Sequence, residues 1–527
     1  MKKLILLFTV ACISLSSFAL TTIYVKPTGS SSTSVDGLSW VNAVSLSRAR
    51  SLVNYYNTLP TPVVNQVWMA AGTYDLTAAF QTTIPITIYG GFAGTETNLI
   101  DRNWKNNQTI LNQTAATQVI WGNASVDVLL DGLILQGGNP ATNGGCGSLA
   151  SGTTLRNCII RNNKVGASQS SVFLTMVPLG STKLITIDNC LIVNNQTAVS
   201  PCVISIVAGA QVNITNTTIA NNLCDASGAG TVIAHTDGTS SLNLKNSIIY
   251  NNKTASATAT SVSATVMSSG AKILSNNAWD VAATNATATA NILLSSSPFV
   301  SATSFVGAAN GTTQLLTDIN AADFKLATAS TCINAGNSSY VTESFDLSGT
   351  TRIVGSAVDM GAYELAAPSA PTITSITPGD LQLTVEFTAG SDGGSSITNY
   401  KYSTDGGSTF TACSPAQTTS PIVITGLTND VSYAVQIKAV SAIGDGTATA
   451  STSATPSVAT ALASLKTEAN VKVVNGQLVV TGADTYSVYS TQGQALTKAI
   501  SSENYMALQT GIYLVKVGSK MHKIIVR

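Results

Sequence analysis

Apolar residues in this chain fall in short runs of three to five, cut at regular intervals by Asn, Gly and Ser. Four versions of one phrase set the rhythm: Asn157-Cys-Ile-Ile-Arg-Asn-Asn163, Asn189-Cys-Leu-Ile-Val-Asn-Asn195, Asn216-Thr-Thr-Ile-Ala-Asn-Asn222 and Asn246-Ser-Ile-Ile-Tyr-Asn-Asn252. They recur at spacings of 32, 27 and 30 residues. A period in this range marks stacked units, none of which can bury its apolar face alone. The phrase is too short and too β-branched for a helix pair, so it predicts a parallel β-helix with one coil per repeat. Its fourth residue is always isoleucine (Ile160, Ile192, Ile219, Ile249), which predicts an internal column. The flanking asparagines predict a second ladder at a turn, because amides can bond along a stack and Asn tolerates left-handed backbone.

The same rhythm extends from about Val63 to Gly270, in runs such as Gln66-Val-Trp-Met-Ala70, Ile84-Pro-Ile-Thr-Ile-Tyr89, Val128-Leu-Leu-Asp-Gly-Leu-Ile-Leu135, Val203-Ile-Ser-Ile-Val207 and Leu242-Asn-Leu244. Eight to ten coils at about 4.8 Å each predict a rod roughly 40–50 Å long. Before it, Ile23-Tyr-Val-Lys26 is a first strand, and Ser45–Asn57 places Leu46, Ala49, Leu52, Val53 and Tyr56 on one helical face. This is an N-terminal plug for the solenoid, with Trp40 expected beneath it. Residues 255–365 lose the rhythm and are expected to hold the last coils and closing loops.

After Ala367-Pro-Ser-Ala-Pro371 the period becomes two. Leu381-Gln-Leu-Thr-Val-Glu-Phe387, Ile397-Thr-Asn-Tyr-Lys-Tyr402 and Tyr433-Ala-Val-Gln-Ile-Lys-Ala-Val440 predict a sandwich of about seven strands. Residues 464–527 form a further small β unit. The expected class is all-β throughout: a right-handed parallel β-helix with N-terminal cap (20–366), a β-sandwich (367–457) and a small C-terminal sandwich (464–527).

Composition narrows the function classes. Charged residues are 9% of the 527, with Lys+Arg and Asp+Glu equal at 25 each, so no field steers nucleic acid. Residues 1–19 combine a basic start, a short apolar run and a small-residue exit, as a secretory signal cleaved after Ala19 does. A buried strand or membrane anchor is the competing reading, and the run is too short to span. Seven cysteines follow the signal, with no Cys-x-x-Cys pair and two histidines in the chain, a poor basis for zinc. Cys158 and Cys190 share a repeat position with Thr217 and Ser247, which favours a stack of small residues over a disulfide.

Three stretches resemble known families. Ile23-Tyr-Val-Lys-Pro-Thr-Gly29, Val67-Trp-Met-Ala-Ala-Gly-Thr-Tyr74, Ile88-Tyr-Gly-Gly-Phe-Ala-Gly-Thr-Glu-Thr97 and Leu130-Asp-Gly-Leu-Ile-Leu-Gln-Gly-Gly138 look like the pectate-lyase-like right-handed β-helix proteins secreted by Bacteroidetes. Cys332-Ile-Asn-Ala-Gly336, Asp346-Leu-Ser-Gly349, Arg352-Ile-Val354 and Asp359-Met-Gly-Ala-Tyr-Glu364 are similar to that group's closing segment, often called a choice-of-anchor region. Gly426-Leu-Thr-Asn-Asp-Val-Ser-Tyr433 resembles the tyrosine corner of a fibronectin type III module, although that module's usual strand-B tryptophan is absent. Val488-Tyr-Ser-Thr-Gln-Gly-Gln494, Leu508-Gln-Thr-Gly-Ile-Tyr-Leu-Val515 and the basic last strand resemble the sorting domain of type IX secretion. Together the resemblances imply export and an outer-membrane surface destination through sorting rather than a transmembrane segment, with the type IX machinery as a partner.

The β-helix family is rich in polysaccharide lyases and glycosidases, and glycoside hydrolysis needs two carboxylates about 5–9.5 Å apart. Between 120 and 290 the carboxylates are Asp127, Asp131, Asp188, Asp225, Asp237 and Asp280, none adjacent to another in sequence. In the stacking register Arg156 meets Asp188 as a surface pair of little energetic weight. Asp131-Gly132 reads as a turn, and Glu96, Asp101 and Arg102 as a structural salt-bridge patch. His235-Thr-Asp237 is the one local group with base character, and a turn histidine with a satisfied ring is the favoured account of it. No catalytic, cofactor or metal residue is assigned. The expectation is a non-catalytic surface protein that binds glycan or serves adhesion and display, with Tyr55, Tyr56 and an exposed Tyr250 as possible contacts and the ligand unknown; the alternative is a polysaccharide lyase or glycoside hydrolase.

Overall fold

The computed structural model describes residues 20–527 apart from 59–63, 123, 142–143, 166–170, 177–180, 199–202, 208, 225–230, 236–237, 255–262, 268–270, 282–287, 459–469, 476, 482–484, 502–505 and 518. The proposed signal at 1–19 lies outside the described residues. Among those described, three parallel sheets of ten, nine and seven strands run the length of the first half of the chain. Most coils contribute one strand to each sheet, which is a parallel β-helix of nine to ten coils.

The phrase positions stack as their sequence requires. Ile160 lies over Ile192, Ile192 over Ile219, and Ile219 over Ile249, with Leu135 and Trp279 continuing the column at either end. All four isoleucines are buried within the single core that the three sheets enclose. The asparagines divide into two kinds. The first of each phrase and the first of each closing pair take left-handed backbone, with φ between 48° and 55° at Asn157, Asn162, Asn189, Asn194, Asn216, Asn221, Asn246 and Asn251. These are the corners between sheets. The second of each closing pair points inward and forms the ladder: Asn163 Nδ2 donates to Asn195 Oδ1 (3.0 Å), Asn195 to Asn222 (2.9 Å) and Asn222 to Asn252 (2.8 Å). Gly132 and Gly137 (φ 74° and 80°) make the equivalent corners one coil earlier. Hence the run Val128–Leu135 is two strands, Val128–Asp131 and Leu133–Gln136, on different sheets.

Cys158 and Cys190 hold the small-residue position as free, buried thiols, and Thr217 and Ser247 extend it by hydroxyl bonds to the backbone. Cys146, Cys332 and Cys413 are also free, while Cys202 and the Cys224 side chain lie outside the described residues. The plug helix spans Leu46–Asn57, capped by Ser45, whose hydroxyl accepts from Arg48 N. It buries Leu46, Ala49, Leu52 and Val53 against the first coil, and half-buried Tyr56 packs beside them. Trp40 is not beneath it. Its ring packs edge-on to Tyr24 (4.7 Å) and against Phe92 on the outer face of the ten-stranded sheet, and its Nε1 donates to Glu96 O.

Residues 294–366 do not close the far end of the solenoid. They double back as a strap along the outer face of the nine-stranded sheet. There Leu191, Val193, Ala220, Ile248 and Ala278 meet Phe299, Phe324, Leu326, Cys332, Leu347, Met360 and Ala362 in a second core. That sheet is therefore buried on both faces, which accounts for its unbroken apolar triplets. The corner asparagines hold the strap at both margins. Asn221 Nδ2 donates to Thr303 O (3.0 Å) and Asn194 Nδ2 to Gly307 O (3.2 Å), while Asn162 Oδ1 accepts from Ala309 N (2.8 Å). On the other margin Asn246 Nδ2 donates to Asn337 O (3.0 Å) and Asn189 Nδ2 to Phe345 O (3.0 Å).

Within the strap the fully buried Arg352 donates from Nη2 to Gly361 O, facing Asp346, Glu364, Asp188 and Asp359. Asp346 accepts from the N–H groups of Ser348, Thr350 and Glu364; Asp359 accepts from Asn334 and Leu365; Glu364 accepts from Val354 and Asp359. Burial pushes the Asp359 carboxyl up to about 6 despite those N–H bonds, and pushes Glu364 up to about 8 with the Asp359 charge adding to it. A raised acid favours the folded state when protonated. Its contribution is complete below the ordinary carboxylate range and lost as pH rises through the folded value. Strap stability is therefore expected to fall between about pH 4 and pH 8, by an amount on the order of a few kcal/mol. Glu364→Gln should flatten the upper part of that decline, as read by thermal unfolding across the pH range.

Beyond the strap, strands Thr372–Gly379, Gln382–Thr388 and Ile422–Thr425 form one antiparallel sheet. Ile397–Ser403, Thr411–Ala412, Tyr433–Ser441, Gly444–Asp445 and Thr452–Ala454 form the facing one. Tyr433 Oη accepts from Thr428 N (3.0 Å), the tie-back expected of a tyrosine corner. In place of the absent strand-B tryptophan, Phe387 packs on the fully buried Tyr400 ring at 4.6 Å. The C-terminal residues make a second small sandwich of three and four strands, where Tyr513 Oη donates to Gln509 O (2.9 Å).

Candidate functional site

A cleft of about 860 Å³ opens where the β-helix, the strap and the first sandwich meet. Ligand pockets commonly occupy 300–1,000 Å³ and favour domain junctions. One wall is the loop after strand Ile86–Phe92, which turns through Leu99–Asp101 and presents Arg102, Trp104 and Lys105. The second is strap residues 343–349 and the third is sandwich loop 389–392. Asn157, a corner residue, lies at the floor.

A charge chain underlies the cleft. The fully buried Asp131 takes Arg102 Nη2 on Oδ1 (2.9 Å), Arg156 Nε on Oδ2 (2.7 Å) and Asn157 Nδ2 on Oδ1 (2.9 Å). Arg156 then reaches Glu343 Oε1 through Nη1 (2.9 Å). The Arg102 guanidinium lies between the Tyr89 ring (4.9 Å) and the Trp104 ring (4.7 Å). Trp104 Nε1 donates to Leu347 O (2.9 Å), tying loop to strap. Burial raises the Glu343 carboxyl and the neighbouring Asp188 and Asp131 charges add to this, with Arg156 opposing them.

Several expected roles change here. Arg156 and Asp188 are register partners, but their side chains do not pair. Arg156 turns to Asp131 and Glu343, while the buried Asp188 accepts from Thr342 Oγ1 (2.8 Å) and Asn216 Nδ2 (3.2 Å). The two-sided arrival of the loop and the strap buries Asp188 and leaves Arg156 only half-exposed. Asp131 is likewise an ion-pair hub, not merely a turn residue. The expected Glu96–Asp101–Arg102 patch is not formed: Glu96 accepts from the N–H groups of Ala93, Gly94 and Thr95, and Asp101 from Asn98 Nδ2. Tyr250 is half-buried against Phe299, ring centroids 6.0 Å apart, because the strap covers it. Tyr55 is 59% exposed on the plug helix and lies far in sequence from the cleft walls. His235 sits at the end of strand Thr231–His235, but its side chain and Asp237 lie outside the described residues.

The cleft itself was not legible, since its walls come from residues 99–106, 343–349 and 389–392, joined only by the reversal of the strap. The one available signal was the density of charge near the closing segment, where Glu343, Asp346, Arg352, Asp359 and Glu364 crowd an otherwise charge-poor chain. Chemically the cleft offers an exposed Phe345 ring and the Trp104 ring. It also presents the amides of Asn103 and Asn106, the hydroxyls of Ser344, Ser348 and Ser391, and the loosely held Lys105–Asp392 pair at 3.9 Å. Rings flanked by amides and hydroxyls suit a polyhydroxylated ligand. Among the described residues no group of three His, Cys, Asp or Glu side chains is placed to hold a metal.

No family model matches the chain, and no curated protein matches it. Among solved structures, the chicken CNTN1 FN1-FN3 domains are similar at 15% identity, over 31% of this chain and 69% of that one, with a TM-score of 0.17. A likeness that low carries no argument, and the sandwich at 372–454 is defined instead by its own strand pairing and the Tyr433 tie. No helix among the described residues is long and apolar enough to cross a membrane, which says nothing of a β-barrel.

Proposed function

We propose that this is an exported, surface-destined β-helix protein that holds glycan without cleaving it, and that the cleft at the strap is where it does so. Residues 1–19 serve as the export signal, 464–527 as a type IX sorting domain, and 332–364 as the choice-of-anchor closing segment. The reading is supported above all by the cleft lining: an aromatic face at Phe345 and Trp104 among amides and hydroxyls. Asp131 and Asp188, the carboxylates buried beneath the loop and the strap, are engaged by protein donors.

A hydrolytic alternative rests on one observation. Glu343 and Asp392 both line the cleft, one on the strap and one on the sandwich loop, and the burial-raised carboxyl of Glu343 has the character of a general acid. Purified protein incubated with a panel of neutral and uronate glycans separates the two readings. Binding of a glycan with neither new reducing ends nor ultraviolet-absorbing unsaturated products supports the first. Turnover replaces it with the alternative, and no binding at millimolar glycan removes both.

A further inference from the structure

The connection between β-helix and sandwich has the chemistry of a fixed joint. Ala366 N donates to Gly393 O (2.8 Å), Ser369 N to Ser391 O (2.9 Å), Ser391 N to Ser369 Oγ (2.7 Å) and Thr447 N to Pro368 O (3.0 Å). The Pro-containing stretch that reads as a linker is thus laid into the sandwich's own loops. Three glycines permit that approach. A Cβ on Gly390 would strike Ser369 and Ala370, one on Gly393 (φ 66°) would strike the Ala366 and Ala367 carbonyls, and one on Gly446 would strike Pro368. Loop 389–392 is consequently held at a set distance from loop 99–106 of the β-helix, with the cleft between them.

Across that gap Lys105 and Asp392 face each other at 3.9 Å, with side chains 44% and 30% exposed. Such a pair is weak in itself. The Lys105 Nζ donors and the part-exposed Asp392 carboxylate, whose Oδ1 also accepts from Gly394 N (3.0 Å), can therefore meet ligand hydroxyls, one set on each domain. We propose that the cleft is a clamp with one jaw on each domain, Lys105 on the β-helix and Asp392 on the sandwich, and that a neutral oligosaccharide binds by bridging them across the Trp104 face. This rests on the glycan reading above and makes the sandwich part of the binding site, not a spacer.

The test uses the full chain and reads binding by isothermal calorimetry, with the change in tryptophan emission lost in Trp104→Phe as the part that reports the cleft. Neutral oligosaccharides are titrated against wild type, Lys105→Ala, Asp392→Ala, the double variant, and a loosened-joint variant, Gly390→Val with Gly393→Val. Circular dichroism and thermal unfolding verify that each variant is folded. A ligand that saturates the wild-type signal should bind about tenfold more weakly to each single variant, and to the loosened-joint variant at least as weakly. The double variant should lose less than the product of the single losses, as coupled contacts do. Wild-type binding that all variants retain would overturn the clamp and leave the glycan reading standing. Absence of binding by wild type at millimolar oligosaccharide would overturn both. Should the loosened-joint variant fail to fold, the two exposed single variants decide the matter alone.

Discussion

Asn195→Ala is expected to destabilise the β-helix by about 3–5 kcal/mol, a larger loss than its small volume suggests. The fully buried amide donates to Ile160 O, Val193 O and Asn222 Oδ1, and accepts from both the backbone N and Nδ2 of Asn163. Alanine leaves donors and acceptors unpaired in a fully buried column, and each orphan costs about 1–3 kcal/mol. Asn213→Ala is the matched control. It removes an amide from the outer face whose ladder bond, from Asn243 Nδ2, is half-exposed (2.7 Å), and should cost less than about 0.5 kcal/mol. Denaturant unfolding of the two variants beside wild type checks the contrast. Equal losses would mean that the inner amides carry no special weight in the stack.

Arg352→Met is expected to release the strap, at a cost of about 3–5 kcal/mol, because it leaves Asp346, Asp359 and Glu364 without the buried cation they face. The loss should depend on pH in a way that a packing defect would not. Acidification protonates Glu364 and then Asp359, whose folded values lie near 8 and 6, and leaves Asp346, held by three N–H groups and Ser348 Oγ, as the remaining charge. The variant should therefore approach wild type near pH 5 and diverge from it by pH 8. Limited proteolysis within 299–366, with the main core intact by circular dichroism, is the appropriate measurement. A loss that is the same at both pH values would assign Arg352 a purely steric role.

Much of the fold was readable because solenoid register is a local property. Once the phrase repeats, Ile160 must lie over Ile192, and the left-handed corners must fall at Asn or Gly. The plug helix was readable for the same reason, since Ser45 and the spacing of Leu46, Ala49, Leu52 and Val53 act within four turns or fewer. The strap was not. Its residues carry no period, and the apolar positions it covers, such as Leu191 and Val193, read equally well as an ordinary buried strand. With the strap hidden, three side chains it reaches were misplaced: Arg156 and Asp188 were put at the surface and Tyr250 in solvent. The cleft depends on the strap bringing the sandwich back beside residues 99–106, so no pattern within one segment could have located it.

The strap meets successive corners in turn: Thr303 at Asn221, Gly307 at Asn194 and Ala309 at Asn162. That correspondence makes the number of coils and the length of the returning chain mutually dependent. A coil adds about 4.8 Å of height, and an extended chain covers at most about 3.3–3.6 Å per residue. Any relative that gains a coil between Asn163 and Asn252 must lengthen both margins of the return path by about two residues each, or surrender the cleft by dragging the sandwich away from Lys105. Repeat gain and loss, the cheapest route by which solenoids change size, is thereby restricted in this chain to paired events.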